Sequence, residues 1–126
     1  MLETVPDAGQ MVLVSHSLGT LVGTDRITRL PPGVEVVHLI TAGSPLGMDS
    51  LRRLLSGGPI SPEKVADWLN AWCPTDAVAV GCPLADDWAD SPTDLAVVNA
   101  RDRAHGIGEY LSHAAVARSI GSRLAV

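Results

Sequence analysis

Ser17 lies in the run Ser15-His16-Ser17-Leu18-Gly19, after the apolar stretch Met11-Val12-Leu13-Val14 and before a segment of near-helical apolar spacing. A serine on a sharp strand-to-helix turn has its hydroxyl exposed at the strand end, with the next backbone N–H free to meet a developing oxyanion and a helix N-terminus behind it. That N–H belongs to Leu18. Crowding at such a turn asks for small residues two positions to either side, and Ser15 and Gly19 supply them. In an open α/β sheet reactive groups collect at the C-terminal ends of the strands, which here points to Ser17, the Gly43-Ser44-Pro45 loop, Asp76 and His105. Serine, acid and histidine therefore follow in chain order on three separate strand ends, a set suited to nucleophilic acyl transfer. Asp76 competes for the acid position with Asp86, Asp87, Asp90 and Asp94, which read as a solvated acidic loop, whereas Asp76 directly follows a strand end. His105 competes with His113, which falls inside the expected final helix beside Leu111 and Ala115.

The elements that must position these groups alternate along the chain. Residues 11–16 read as a strand and residues 18–30 as a helix with Leu18, Leu21, Val22, Ile27 and Leu30 at helical spacing, stopped by Pro31-Pro32-Gly33. Residues 34–40 are too continuously apolar for a strand with one wet face and suit a parallel strand buried on both sides. A short helix follows from Asp49 or Ser50 as N-cap through Leu55, closed by the turn Gly57-Gly58-Pro59. Residues 66–72 make a third strand with Trp68, Asn70 and Trp72 on one face. Residues 81–93 are rich in proline and acid and read as a surface excursion. A fourth strand spans residues 94–100, then come a loop over 101–106 and a helix from about Glu109 to Leu124 with Leu111, Ala115, Val116 and Ile120 inward. His16 and His38, flanked by strand residues, read as structural. This order predicts an α/β fold in one domain, residues 1–126: a mostly parallel open sheet of about four strands with helices on both faces.

Composition narrows the function. The chain of 126 residues is 46% hydrophobic and 18% charged, enough for an aliphatic core. Its net charge is −5, its basic residues are scattered, and Phe is absent beside three Trp and one Tyr, which argues against nucleic acid as a partner. No apolar run approaches the roughly 20 residues that cross a bilayer, and Met1-Leu2-Glu3-Thr4 has no basic region or apolar core of an export signal, so a cytoplasmic location is expected. Cys73 and Cys82 match no zinc spacing and read as reduced thiols. No metal is called for, since the histidines and cysteines show no ligand spacing, and a serine mechanism needs no cofactor.

The segments Val12-Leu13-Val14-Ser15-His16-Ser17-Leu18-Gly19-Thr20 and Leu39-Ile40-Thr41-Ala42-Gly43-Ser44-Pro45-Leu46-Gly47 together resemble the α/β-hydrolase superfamily, more narrowly its bacterial lipase- or esterase-like members. Trp68-Leu69-Asn70 leading to Asp76-Ala77-Val78-Ala79 is similar to the family's acid-bearing strand and turn, and His105 followed by Tyr110-Leu111 to its histidine loop and last helix. The likeness runs from residue 11 to about 124. It implies Ser17 as nucleophile, His105 as general base, Asp76 as the acid that orients it, and Leu18 N–H as an oxyanion donor acting on a small-molecule acyl ester. Two departures accompany it. Ser15 replaces the first glycine of the serine motif, and residues 1–10 hold no counterpart of the strands and loop that supply the second oxyanion N–H. A partial fold is therefore expected, with Val12-Leu13-Val14 as an uncovered edge open to a second copy or a partner chain. The alternative function is a non-catalytic binding or assembly module pairing through that edge.

Overall fold

The computed structural model describes residues 8–54, 65–84, 88 and 92–124. Apolar β-branched sequence forms its two longest strands, β1 (Ala8–His16) and β2 (Gly33–Ala42), joined through helix α1 (Gly19–Ile27). A short helix α2 (Asp49–Arg52) follows, then β3 (Trp68–Trp72) and β4 (Thr93–Ala96), a 3-10 turn at Arg101–Arg103, and helices α3 (Ile107–Ser112) and α4 (Ala114–Leu124). The four strands form one all-parallel sheet in the order β1-β2-β3-β4, flanked by helices, an α/β architecture. Buried on both faces, β2 is continuously enclosed from His38 to Ala42.

One irregularity decides which side chains face where. Met11 pairs with Val36 but Val12 pairs with His38, leaving Val37 as an extra residue in β2. Such a bulge reverses the alternation of side chains along the strand. Before it Val34 and Val36 pack with Ile27 and Leu30 on the α1 face, and after it Leu39 joins them while Ile40 and Ala42 turn to the face covered by Tyr110 and Val116 of α3 and α4. The two faces thus hold separate apolar cores. Nothing in the residue pattern announces this switch.

Several boundaries differ from the sequence expectation. The inner face of α1 is not its leucine and valine stripe. Leu18 and Val22 are exposed, and the buried residues are Thr20, Gly23, Thr24 and Ile27. The reason is a close helix–sheet contact: a Cβ placed on Gly23 would lie 3.5 Å from Ser15 Cβ, so small residues face the strand. The threonine hydroxyls tolerate burial because Thr24 Oγ1 donates to Thr20 O at 2.5 Å and Thr20 Oγ1 to Ser17 O at 2.7 Å. Met48, not Asp49 or Ser50, occupies the N-cap of α2, and Leu55 and the Gly57-Gly58-Pro59 turn lie outside the described residues.

The segment expected to be a surface excursion instead contributes to the core. Leu84 and Trp88 are buried, with the Trp88 ring edge-on to Trp68 at 5.4 Å. Asp94 belongs to β4, where its Oδ1 accepts from Asn70 Nδ2 and Leu84 N, both at 2.9 Å. Asp86, Asp87 and Asp90 lie outside the described residues. The last strand is shorter than expected, and Val98, beyond its end, is 87% exposed. The expected final helix is two helices, because His113 takes an extended conformation between them, and Ala115 points to solvent while Val116 fills the core.

Gly47 and Gly81 place their backbones against each other, so that a Cβ on either would overlap the other's main chain. Gly47→Ala is expected to force these loops apart and cost about 1–3 kcal/mol, measurable as a lower urea midpoint.

Candidate active site

At the end of β1 the backbone turns abruptly, and Ser17, with φ +59°, is alone among the described non-glycine residues in the left-handed region. Such a conformation costs on the order of 1–3 kcal/mol and persists only where surrounding contacts impose it. Here Ser17 N donates to Ala42 O at 3.1 Å, and Ser17 O accepts from Thr20 N at 3.1 Å and from Thr20 Oγ1. Thr20 has only one hydroxyl proton, already committed to Ser17 O, so the buried Ser44 hydroxyl must donate to Thr20 Oγ1 across 2.8 Å while it accepts from Leu46 N. The Gly43-Ser44-Pro45 loop thereby braces the turn. The small residue needed near Ser15 proves to be Gly23, whereas a Cβ on Gly19 would meet nothing within 4 Å among the described residues.

Asp76 enters through a turn after β3. Its backbone N donates to Cys73 O, and its Oδ1 accepts from Val78 N at 2.9 Å. The second oxygen, Oδ2, accepts from His105 Nδ1 at 2.8 Å and from Tyr110 Oη at 2.6 Å. On the other side of the imidazole, His105 Nε2 stands 2.8 Å from Ser17 Oγ. The structure thus brings Ser17, His105 and Asp76 into one hydrogen-bonded line. With Nδ1 donating to a carboxylate, neutral His105 has an unprotonated Nε2 that accepts from the serine hydroxyl. Leu18 N–H, at the head of α1, has no backbone acceptor among the described residues.

The electrostatics keep the acid ionised. Burial of the Asp76 carboxyl on its own pushes its pKa up, but hydrogen bonds from Tyr110, His105 and Val78 N–H outweigh that and hold it below the usual carboxylate range. Burial, with the Asp76 carboxylate adjacent, pushes the Tyr110 phenol well above its usual value, so it remains a donor. Tyr110 is fully buried and also accepts from Cys73 N at 3.1 Å, which fixes its oxygen between the two groups. Sequence reasoning placed Tyr110 only in the last helical region and missed this contact. A tyrosine five residues after the histidine is the one signal that could have pointed to it.

Tyr110→Phe is expected to destabilise the fold by about 1–3 kcal/mol by leaving Cys73 N–H and Asp76 short of a partner. Because the Asp76 pKa is lowered in the folded state, its stabilisation is present above the unfolded value and disappears as pH falls through the folded one. The gap in melting temperature between wild type and variant should therefore be larger at neutral pH than in strong acid.

The competing candidates are placed elsewhere. His113 donates from Nε2 to Asn99 Oδ1 at 2.6 Å, and Asp94 serves the Asn70–Leu84 junction. His16 donates to the main-chain oxygen of His105 at 2.6 Å. A second serine–histidine–aspartate cluster joins α4 to β2: His38 Nε2 is 2.5 Å from Ser119 Oγ, and Nδ1 is 3.1 Å from Asp67 Oδ2 but outside hydrogen-bonding alignment. Its histidine side chain is only 2% exposed, and Ser119 sits within α4, where the helix's own ladder consumes the N–H groups an oxyanion would need. That cluster is a helix–sheet tie.

Beside His105 a cleft of about 500 Å³ opens between His16, Asp76, Ala77 and the segment from Arg101 to Gly106. Among the described residues no group of three or more His, Cys, Asp or Glu side chains is arranged to hold a metal ion, and no helix is long and apolar enough to cross a membrane. Comparison with family models, with curated proteins and with solved structures gives no significant match.

Proposed function

We propose that this chain carries the acyl-transfer machinery of a serine hydrolase that cleaves carboxylic esters or related acyl bonds, in keeping with its resemblance to the α/β-hydrolase superfamily. The observation that carries the reading is the line Asp76–His105–Ser17, with the serine held in a strained turn at the head of a helix. In this reading Ser17 Oγ attacks the acyl carbon as His105 Nε2 takes its proton, and Asp76 holds the Nδ1–H and stabilises the imidazolium. The oxyanion is met by Leu18 N–H and the α1 N-terminus. As the bond from the acyl carbon to the leaving oxygen breaks, His105 passes the proton to that oxygen, leaving an acyl-serine. Water, deprotonated by His105, then attacks the acyl carbon, releases the carboxylic acid and returns the proton to Ser17.

Hydrolysis of p-nitrophenyl acetate tests this sequence of events. A burst of nitrophenolate approaching one equivalent per chain, followed by slower turnover, is expected for an acyl-serine intermediate. Release no faster than from a chain lacking the Ser17 hydroxyl contradicts it.

A second reading, a binding module, draws on β1. This strand has no partner on its outer side among the described residues, bears no charge, and carries the exposed Val14, with Leu18 and Val22 exposed in the turn and helix that follow it. Concentration-dependent sedimentation without any ester turnover favours that alternative.

A further inference from the structure

The loop that carries His105 has three consecutive carbonyls, each tied to a different element. Ala104 O accepts from Asn99 Nδ2 at 2.7 Å, His105 O from His16 Nε2 at 2.6 Å, and Gly106 O from Tyr110 N at 3.2 Å. Of these ties, only the one from His16 reaches the strand that bears Ser17. Strand alternation explains how it does so: Ser15 packs toward α1, so His16 projects to the opposite face, where its ring lies 4.6 Å from the His105 ring at a tilt of 32°. Since a carbonyl only accepts, His16 Nε2 carries a proton.

We infer that His16 is a positioning residue, which locks the main chain of His105 to the nucleophile strand and so sets the approach of His105 Nε2 to Ser17 Oγ. The inference rests on the acyl-transfer reading above. The Ser17–His105 hydrogen bond cannot hold that distance by itself, because it is lost each time the serine is acylated. The contact from His16 to His105 O takes no part in proton transfer and does not use the Ser17 hydroxyl, so acylation of the serine does not remove it. His113 supports the same loop from behind, donating to Asn99, whose amide in turn holds Ala104 O.

The test compares wild type with His16→Phe, which keeps a ring and removes the donor, and His16→Gln, which restores a side-chain N–H. Two signals are read: the second-order rate of labelling by a fluorophosphonate, and the downfield proton resonance of the His105 Nδ1–H bound to Asp76. His16→Phe is expected to label about 10²-fold more slowly, the scale of effect of an ångström of misplacement, and to broaden or lose the resonance, while His16→Gln recovers both. Wild-type labelling and an unchanged resonance in a folded His16→Phe overturn the inference. A wild type that shows the resonance but never labels sinks the hydrolase reading instead, and the resonance of His16→Phe still decides whether His16 positions His105. Should His16→Phe fail to fold, His16→Ala gives the same two readouts with the same opposed outcomes.

Discussion

Ser17→Ala and His105→Ala are each expected to lower ester turnover by about 10⁶-fold in a fully active enzyme, and the double variant should fall no further. In the proposed mechanism the two side chains act as one unit: the serine hydroxyl is a weak nucleophile until Nε2 takes its proton, and Nε2 has nothing to activate once the hydroxyl is gone. Their shared hydrogen bond of 2.8 Å makes the loss non-additive. Folding should be little affected by Ser17→Ala, since the Ser17 backbone contacts to Ala42 and Thr20 do not depend on its side chain. Steady-state rates and thermal melts of the three variants check both parts. Additive losses would mean that the two residues work independently.

Gly43→Ala is expected to dismantle the site from the side the chemistry does not touch. Gly43 has φ +57°, and a Cβ there would stand 2.8 Å from Asp76 Oδ2, 3.0 Å from His105 Nδ1 and 3.0 Å from Tyr110 Cε2. Space leaves no room for a side chain, and the backbone conformation makes one strained. The methyl group would wedge into the carboxylate–imidazole contact, so loss of turnover approaching that of His105→Ala is expected, together with a stability cost of about 1–3 kcal/mol from strain and overpacking. A urea titration and the ester assay measure the two separately. Full turnover in Gly43→Ala would show that the Asp76–His105 contact is not needed for activity.

The larger part of this architecture was legible in the chain because it depends on short-range signals. Apolar β-branched runs and the proline–glycine break between the first helix and the second strand pointed to four parallel strands, with helices between the first three. The nearness of Asp76 and His105 was legible because the segments that follow strand ends in a parallel sheet gather at one edge, whatever lies between them in sequence. What escaped depends on tertiary contact. The bulge at Val37, the hydroxyl-lined inner face of α1 and the insertion of Trp88 under the sheet are fixed by packing partners distant in sequence. The acidic segment misled for a similar reason, since Asp94 satisfies two buried donors that composition cannot reveal. Within the site, the roles of Tyr110, Ser44 and His16 rest on hydrogen bonds spanning 34, 24 and 89 residues, beyond the reach of any local pattern.

The most direct test of the account is intact-mass analysis of the purified chain after treatment with a fluorophosphonate, with the modified peptide then mapped. One adduct per chain is expected, located on Ser17 and absent from Ser17→Ala and from His105→Ala. A folded chain that takes no label, or one that is labelled at Ser119 or elsewhere with Ser17 untouched, would contradict it.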